Sequence, residues 1–262
     1  MQTLYHNPAL RIMFDVDILI KQNQFQGIKK ILNQLGYRDS IEENAPEESY
    51  RKDLHETAFS KTFPSKQVLA IEIHCAIVPP RPYKLNLPRL WQRAQQKIIN
   101  SQKLLSLSQE DTFLSLALHL RRHIRPRRLA LKFAIDIAEL LNTSGENLDW
   151  SYIRKSAGDN HIITTVYLSL YLGKELLDAN ISPEILNEFR PNIVKNTLMR
   201  LVINKHNFFC LQNWQGVFLR FLLFDNPVDF LLYLWRVSFL ERFIGRQRRS
   251  ITLNNANFPQ KA

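Results

Sequence analysis

Glycine and cysteine are scarce in this chain, and their scarcity narrows its chemistry. Seven glycines in 262 residues leave little material for loops that cradle phosphate with backbone N–H groups. Neither the Gly-x-x-x-x-Gly-Lys phosphate loop, the Gly-x-Gly-x-x-Gly dinucleotide fingerprint nor the Gly-x-Ser-x-Gly nucleophile turn occurs. Two cysteines, Cys75 and Cys210, cannot make a disulfide framework or a Cys-x-x-Cys motif, and neither has an evident catalytic histidine partner. Such usage suits a reducing cytoplasm, which is the expected location. Long apolar runs are missing too. The nearest approach, Val217 to Ile244, is broken by Arg220, Asp225, Asp229 and Arg236, which argues against a membrane span. Polar and charged residues from His6 onward interrupt any signal-peptide pattern.

Negative charge is the last thing in short supply. Lys and Arg number 35 against 24 Asp and Glu, a formal net charge of +11. That balance favours polyanionic partners, whether nucleotide, nucleic acid or anionic lipid, without choosing among them. With 45% apolar and 11% aromatic residues, the chain has enough to bury a sizeable core.

What is present centres on Arg11 to Ile20, a stretch alternating with the period of a strand. Ile12, Phe14, Val16, Ile18 and Ile20 share one face; Met13, Asp15, Asp17 and Leu19 share the other. The pattern predicts a buried strand carrying two carboxylates. Side by side these acids repel, and burying either is costly without a counter-charge. Residues two apart on a strand are separated by about 6–7 Å, so both acids can converge on one divalent cation or bridge two. The alternative is a strand end where both acids are solvated.

Phe25 to Leu35 follows with helical spacing, Asn23 a candidate N-cap and Gly36 a candidate stop. Residues 39–49 read as an acidic loop and Tyr50 to Phe59 as a weakly alternating strand. Gln67 to Ile77 is a clear strand, with Val68, Ala70, Glu72 and His74 on one face and Leu69, Ile71, Ile73 and Cys75 on the other; Pro79 and Pro80 end it. From Pro88 the strand pattern gives way to helices: a short one at Leu90 and Trp91, one over Thr112–Ile124 capped by Ser108 with Asp111, and one over Leu129–Leu141. Further helices are expected from Asp149, from Ile162 to Leu177, after Ser182-Pro183, and near 194–203, 214–224 and 227–244. The expected fold is α+β: a small N-terminal mixed sheet with a covering helix over 1–87, an all-helical half over 88–249, and a disordered tail over 250–262.

Asp15, Asp17 and Glu72 each sit on the polar face of a strand whose other face is apolar. Brought together, they would supply hard oxygen ligands of the kind Mg²⁺ shares with substrate phosphates, Mn²⁺ being the alternative. The third acid could instead serve as general base. An edge-strand Glu72 facing solvent is the competing reading.

The run Leu4 to Ile20, with Tyr5 and Pro8 ahead of Arg11-x-Met13-x-Asp15-x-Asp17, resembles the signature of an uncharacterised bacterial nucleotidyltransferase-like family of the polymerase-beta-like superfamily. Leu35-Gly36-Tyr37, Glu72-Ile73-His74, Leu90-Trp91, Leu118-His119 with His123, and Asp136 match further along, so the likeness runs from about residue 4 to about 175. It implies a partial nucleotidyltransferase fold that takes an NTP and an unknown hydroxyl acceptor and transfers a nucleoside monophosphate, releasing pyrophosphate. It also implies a metal pair at Asp15 and Asp17, with Glu72 as third acid. One departure stands out. The superfamily's Gly-Ser or Lys-Gly phosphate turn is absent, because no glycine precedes Gly27. The expectation is therefore a chain lacking its N-terminal portion, the alternative being that another region supplies the phosphate contacts; the alternative function is a non-catalytic, truncated or degenerate relative acting as a basic interaction module.

Other clusters carry two readings each. Arg11 adjoins the acids and could pair with one or reach a substrate phosphate; His74 could contact substrate or orient Glu72. His119 and His123, four apart on a helix, have zinc-compatible spacing but lack the neighbouring Glu of zinc proteases, so a packed role competes. Arg121, Arg122, Arg125, Arg127 and Arg128 form a basic corner suited to a triphosphate or simply a solvated turn. Nucleic acid is a partner no specific motif supports, since Arg246, Arg248 and Arg249 lack interleaved aromatics. The aromatic helices at 214–244 read as core before membrane attachment. Oligomeric state is open.

Overall fold

The computed structural model describes residues 4, 5, 7, 11, 15–39, 56–77, 86–99, 101–124, 131–203, 211–232, 234 and 235. The expected tail over 250–262, most of the 39–49 loop and residues 236–244 of the last expected helix lie outside them.

A four-stranded mixed sheet has the order β1-β4-β3-β2. It comprises β1 (Asp15–Leu19), β2 (Arg38–Asp39), β3 (Glu56–Thr62) and β4 (Val68–His74). β1 runs parallel to β4; β3 is antiparallel to both β4 and β2. Because β1 pairs only with β4 among the described strands, it is an edge strand, not the buried strand its alternation predicts. Val16 and Ile18 are accordingly 44% and 39% exposed. The expected strand at 50–59 begins at Glu56 and runs on to Thr62; residues 50–55 are outside the description.

Helix α1 (Phe25–Gln34) covers one face of the sheet. Ile20, Leu32, Tyr37, Phe59 and Ile73 form the small core between them. Gly36 ends the helix as its sequence position predicts. Its φ of 86° lets Tyr37 N–H reach Leu32 O and Gly36 N–H reach Asn33 O, the paired bonds that close a helix with a left-handed residue.

Further helices among the described residues are α2 (Leu87–Arg93), α3 (Gln109–His123), α4 (Leu131–Ser144), α5 (Trp150–Asp159), α6 (Ile163–Leu177), α7 (Pro183–Glu188), α8 (Ile193–Val202) and α9 (Asn213–Leu222), and residues 227–232 are helical as well. Side-chain caps start several of them: Ser108 accepts from Asp111 N–H, Asp149 from Tyr152 N–H, Ser182 from Ile185 N–H and Asn192 from Lys195 N–H. They enclose a large core in which Phe113, Leu120, Ile137, Ile153, Val166 and Phe189 are wholly buried. Leu4 and Tyr5 join that core from the N-terminus, and Leu19 packs against it from β1. Among the described residues the helical half is interrupted by a hairpin of β5 (Gln95–Ile99) and β6 (Gln102–Ser106), where no strand was expected. No helix among the described residues is long and apolar enough to cross a membrane.

Candidate metal centre

The side chains of interest occupy the sheet face opposite α1. In the β1–β4 register Asp17 lies directly beside Glu72, Asp15 beside Ala70, and Leu19 beside His74. In the β3–β4 register Glu56 lies beside His74 and Ala58 beside Glu72. Period-two alternation therefore gathers Asp15, Asp17, Glu72, His74 and Glu56 on one surface, while Ile18, Ile73 and Thr57 point to the α1 side.

His74 is the floor of the group, its side chain 5% exposed against 57% for Asp17. Its Nε2 lies 2.9 Å from Asp17 Oδ1 and 3.6 Å from Glu72 Oε2, and its Nδ1 3.9 Å from Glu56 Oε2. One ligand atom from each of Asp17, Glu72 and His74 falls within 4.8 Å of the others, a spacing that one cation could span. Two carboxylate oxygens suit Mg²⁺; an imidazole nitrogen beside them moves the preference toward Mn²⁺ or a later transition ion. Asp15 stands one pair away along the same face, next to Ala70 and outside this group of three.

The electrostatics follow from crowding. The hydrogen bond with His74 holds the Asp17 carboxyl below its ordinary range, against the opposing effect of burial. Burial raises Glu72, and the charges of Asp17, Glu56 and Asp15 raise it further. Burial pulls His74 down, but its bond to Asp17 and the charges of Asp17, Glu56 and Glu72 outweigh that and raise it overall. In its protonated form His74 is a counter-ion to the acids around it; only the neutral ring can offer a nitrogen to a cation.

Helix α3 faces this surface. Arg122 forks onto Glu56, with Nη1 donating to Oε2 at 2.6 Å and Nη2 to Oε1. His119 is driven down to about 4 by burial, with Asp17 pulling the other way, and is neutral at pH 7. It and His123 pack their rings on Phe133, at 5.4 and 5.1 Å, and stack on each other at 6.4 Å. Ring packing, the alternative to zinc, is the arrangement found. Of the basic corner, Arg122 is committed to Glu56. Arg121 is buried, donates to Thr165 and lies 4.2 Å over the Phe224 ring, so neither sits in a solvated turn. Arg125, Arg127 and Arg128 lie outside the described residues.

Arg11 is engaged by Asp136, with Nε donating to Oδ1 at 2.8 Å and Nη2 to Oδ2 at 2.9 Å. Tyr5 O–H adds a third bond to Oδ1 at 2.6 Å. The residue next to the acids in sequence is therefore tied to a wholly buried carboxylate on α4.

A family model described as an uncharacterised nucleotidyltransferase matches residues 1–178. The chain belongs to this family. No curated protein and no solved structure gives a match. The nucleotidyltransferase match spans β1 to the end of α6, and so contains Asp15, Asp17, Glu72 and His74, the Arg122–Glu56 pair and the Asp136 tie; α7, α8 and α9 lie beyond it. Glu56 and Arg122 are the members of this group that sequence reasoning did not place with Asp15, Asp17 and Glu72. Glu56 had one weak signal, its spacing of two from Ala58 and Ser60, hidden because Arg51, Lys52, Asp53 and His55 precede it without a regular pattern.

Proposed function

We propose that the chain transfers a nucleoside monophosphate from an NTP to a hydroxyl acceptor, dependent on a divalent cation. The observation that carries this reading is the meeting of Asp17, Glu72 and His74 within 4.8 Å, inside the matched region. Asp15 and Asp17 would hold the cation, with His74 orienting Asp17 through its 2.9 Å bond. A divalent ion bound there supplies positive charge to the phosphates and to the departing pyrophosphate. Glu72, whose carboxyl is raised by burial and by its acidic neighbours, takes the proton from the acceptor hydroxyl. The hydroxyl oxygen then bonds to the α-phosphorus, and the bond from that phosphorus to the β-phosphate bridging oxygen breaks, its electron pair leaving with pyrophosphate. Arg11 serves through its anchor on Asp136, which fixes the approach to β1.

The test is turnover of labelled NTP in Mg²⁺ or Mn²⁺ with a mixed acceptor pool. Asp15→Asn and Asp17→Asn are expected to abolish it, and Glu72→Gln to slow it by about 10²–10⁴-fold. Undiminished turnover in both aspartate variants ends this reading. The second reading, a basic non-catalytic module, has the +11 charge in its favour and predicts no cation-dependent turnover in any variant.

A further inference from the structure

The last helices of the described chain leave apolar surface in the open. On α9, Trp214, Val217 and Phe221 are 58%, 60% and 50% exposed. Their spacing of three and then four puts them on one side of the helix. The helical residues from 227 repeat the pattern. Val228, Leu231 and Trp235, again three and four apart, are 57%, 62% and 68% exposed. Phe230 packs edge-on against Phe221 at 4.6 Å and brings the second stripe up to the first. The other sides are committed: Leu219, Leu222 and Leu223 enter the core, and Asp229 is hydrogen-bonded with the His161 ring at 2.7 Å. The aromatics of this region read as core from sequence. Of the three on α9, Phe218 packs against the core, while Trp214 and Phe221 stand outside it.

Positive charge accompanies the stripes. Residues 204–262 hold eight Lys and Arg against three Asp and Glu, a surplus of five toward the whole chain's +11. Two of those three acids are engaged within the fold. Asp229 is held by His161, and Asp225 accepts from Thr164 N–H at 3.0 Å and from Lys195 Nζ at 3.2 Å.

We propose that the two stripes dock on the surface of an anionic lipid bilayer, lying in the headgroup plane with Trp214 and its apolar neighbours inserted. Exposed tryptophan and aliphatic side chains on one side of a helix, within a basic segment, are the make-up of interfacial helices. The indole suits that depth because its ring is apolar and its N–H is polar. Insertion is shallow, since the opposite side of α9 is core. A protein partner would call for about one hydrogen bond per 100–200 Å². Positions 214, 217, 218 and 221, like 228, 231, 232 and 235, carry no hydroxyl, amide or charged group for that purpose. A second copy of this chain is disfavoured by charge, because a two-fold contact sets a surface against itself and so brings the two basic segments together. Lipid phosphates instead neutralise that charge. Both stripes lie beyond residues 1–178 of the family match, so docking and nucleotidyl transfer can be tested apart.

The test is co-sedimentation of the full chain with vesicles of phosphatidylcholine alone or of phosphatidylcholine with about 30% phosphatidylglycerol. Binding to the anionic vesicles is expected to be about tenfold or more tighter than to the neutral ones, and to weaken as salt rises from about 0.1 M to 0.5 M. Trp214→Ser and Leu231→Gln leave every charge in place and change exposed positions, so melting temperatures should stay within about two degrees of the parent. Each should weaken anionic binding about fivefold or more, and the pair further. Ile98→Gln, on the β5–β6 hairpin and 72% exposed, removes an apolar side chain elsewhere and should leave binding unchanged. No binding, equal binding to neutral vesicles, or anionic binding that the paired variant retains overturns the proposal; the last of these would reduce the attraction to net charge alone. Sedimentation equilibrium without vesicles supplies the remaining check. The parent is expected to be no more associated than Trp214→Ser, and a dimer that this substitution dissociates would assign the stripes to a second copy instead. Asp17→Asn, on β1, should bind vesicles as the parent does, so loss of turnover in that variant speaks only to the metal centre.

Discussion

Asp136 has no exposed surface and receives three hydrogen bonds, two from Arg11 and one from Tyr5. Burial raises the Tyr5 hydroxyl, and its bond to Asp136 raises it further, so both partners of the carboxylate keep their protons throughout the physiological range. Asp136→Ala removes the buried carboxylate that Arg11 and Tyr5 both donate to and is expected to cost about 3–5 kcal/mol in urea denaturation. Arg11→Met combined with Asp136→Leu removes both charges and should recover most of that loss; a double variant as unstable as the single one would mean the tie is not what holds the segment. Sequence reading marked each residue, Arg11 for adjoining the acids and Asp136 as a match to the family it resembles. It could not join them across 125 positions, because periodicity assigns faces and not partners. His119 carries a pH dependence of opposite origin. Its pKa of about 4 in the fold lies below the ~6.5 of an unfolded histidine, so the unfolded chain binds the extra proton between those values. Stability is full above about pH 6.5 and falls as pH drops toward 4, by about 3 kcal/mol in all. Thermal midpoints of His119→Gln measured over that window should lose most of the slope.

At the scale of elements, contact between α4 and α6 is set by Gly173. A Cβ there would stand 3.2 Å from Leu141 Cδ1 and 3.6 Å from Ala179 Cβ, and Leu141 is buried with no room to retreat. Overpacking of this kind costs about 1–3 kcal/mol, more than the ~1 kcal/mol an alanine gains over glycine in a helix. Gly173→Ala is therefore expected to lower stability by about 1 kcal/mol. Gly158, on α5, is the contrast, since the nearest atom to its added Cβ is 4.0 Å away, and Gly158→Ala should stabilise by about 0.5–1 kcal/mol. Chemical denaturation of the pair checks both signs. The helices themselves were legible because their starts are local chemistry: Ser108, Asp149 and Ser182 cap within three residues. The β5–β6 hairpin was not, for two reasons. Ile98, Leu104 and Leu105 are 72%, 49% and 63% exposed, so no buried face imprints alternation, and Ser101 takes the positive φ of 65° at a turn where glycine would have signalled it. The edge position of β1 escaped for a related reason, since alternation gives a strand's two faces and says nothing about how many neighbours it has.

For the whole molecule, the candidate metal centre joins parts that the sequence holds far apart, with β1, β3 and β4 contributing acids and α3 closing over them through Arg122. Four carboxylates, Asp15, Asp17, Glu56 and Glu72, share one face against the charge of Arg122 and, when its ring is protonated, that of His74. A cation that binds the folded chain and not the unfolded one stabilises it by RT ln(1 + [M]/Kd), about 2.7 kcal/mol at a hundredfold excess over Kd. Mn²⁺ is thus expected to raise the melting temperature of the parent and to leave Asp17→Asn unmoved. The shift should also depend on pH. His74 is raised in the fold, so its bond to Asp17 contributes stability that is full below about pH 6.5 and is lost as pH rises through the folded value. A cation has to displace that proton or work against its charge. Above the folded pKa the imidazole is neutral, the acids lose their internal counter-ion, and the cation has more to offset. Calorimetric scans with and without Mn²⁺ should therefore show a larger upward shift at pH 8 than at pH 6. An equal shift at both values, or one retained by Asp17→Asn, would place the ion elsewhere on the protein.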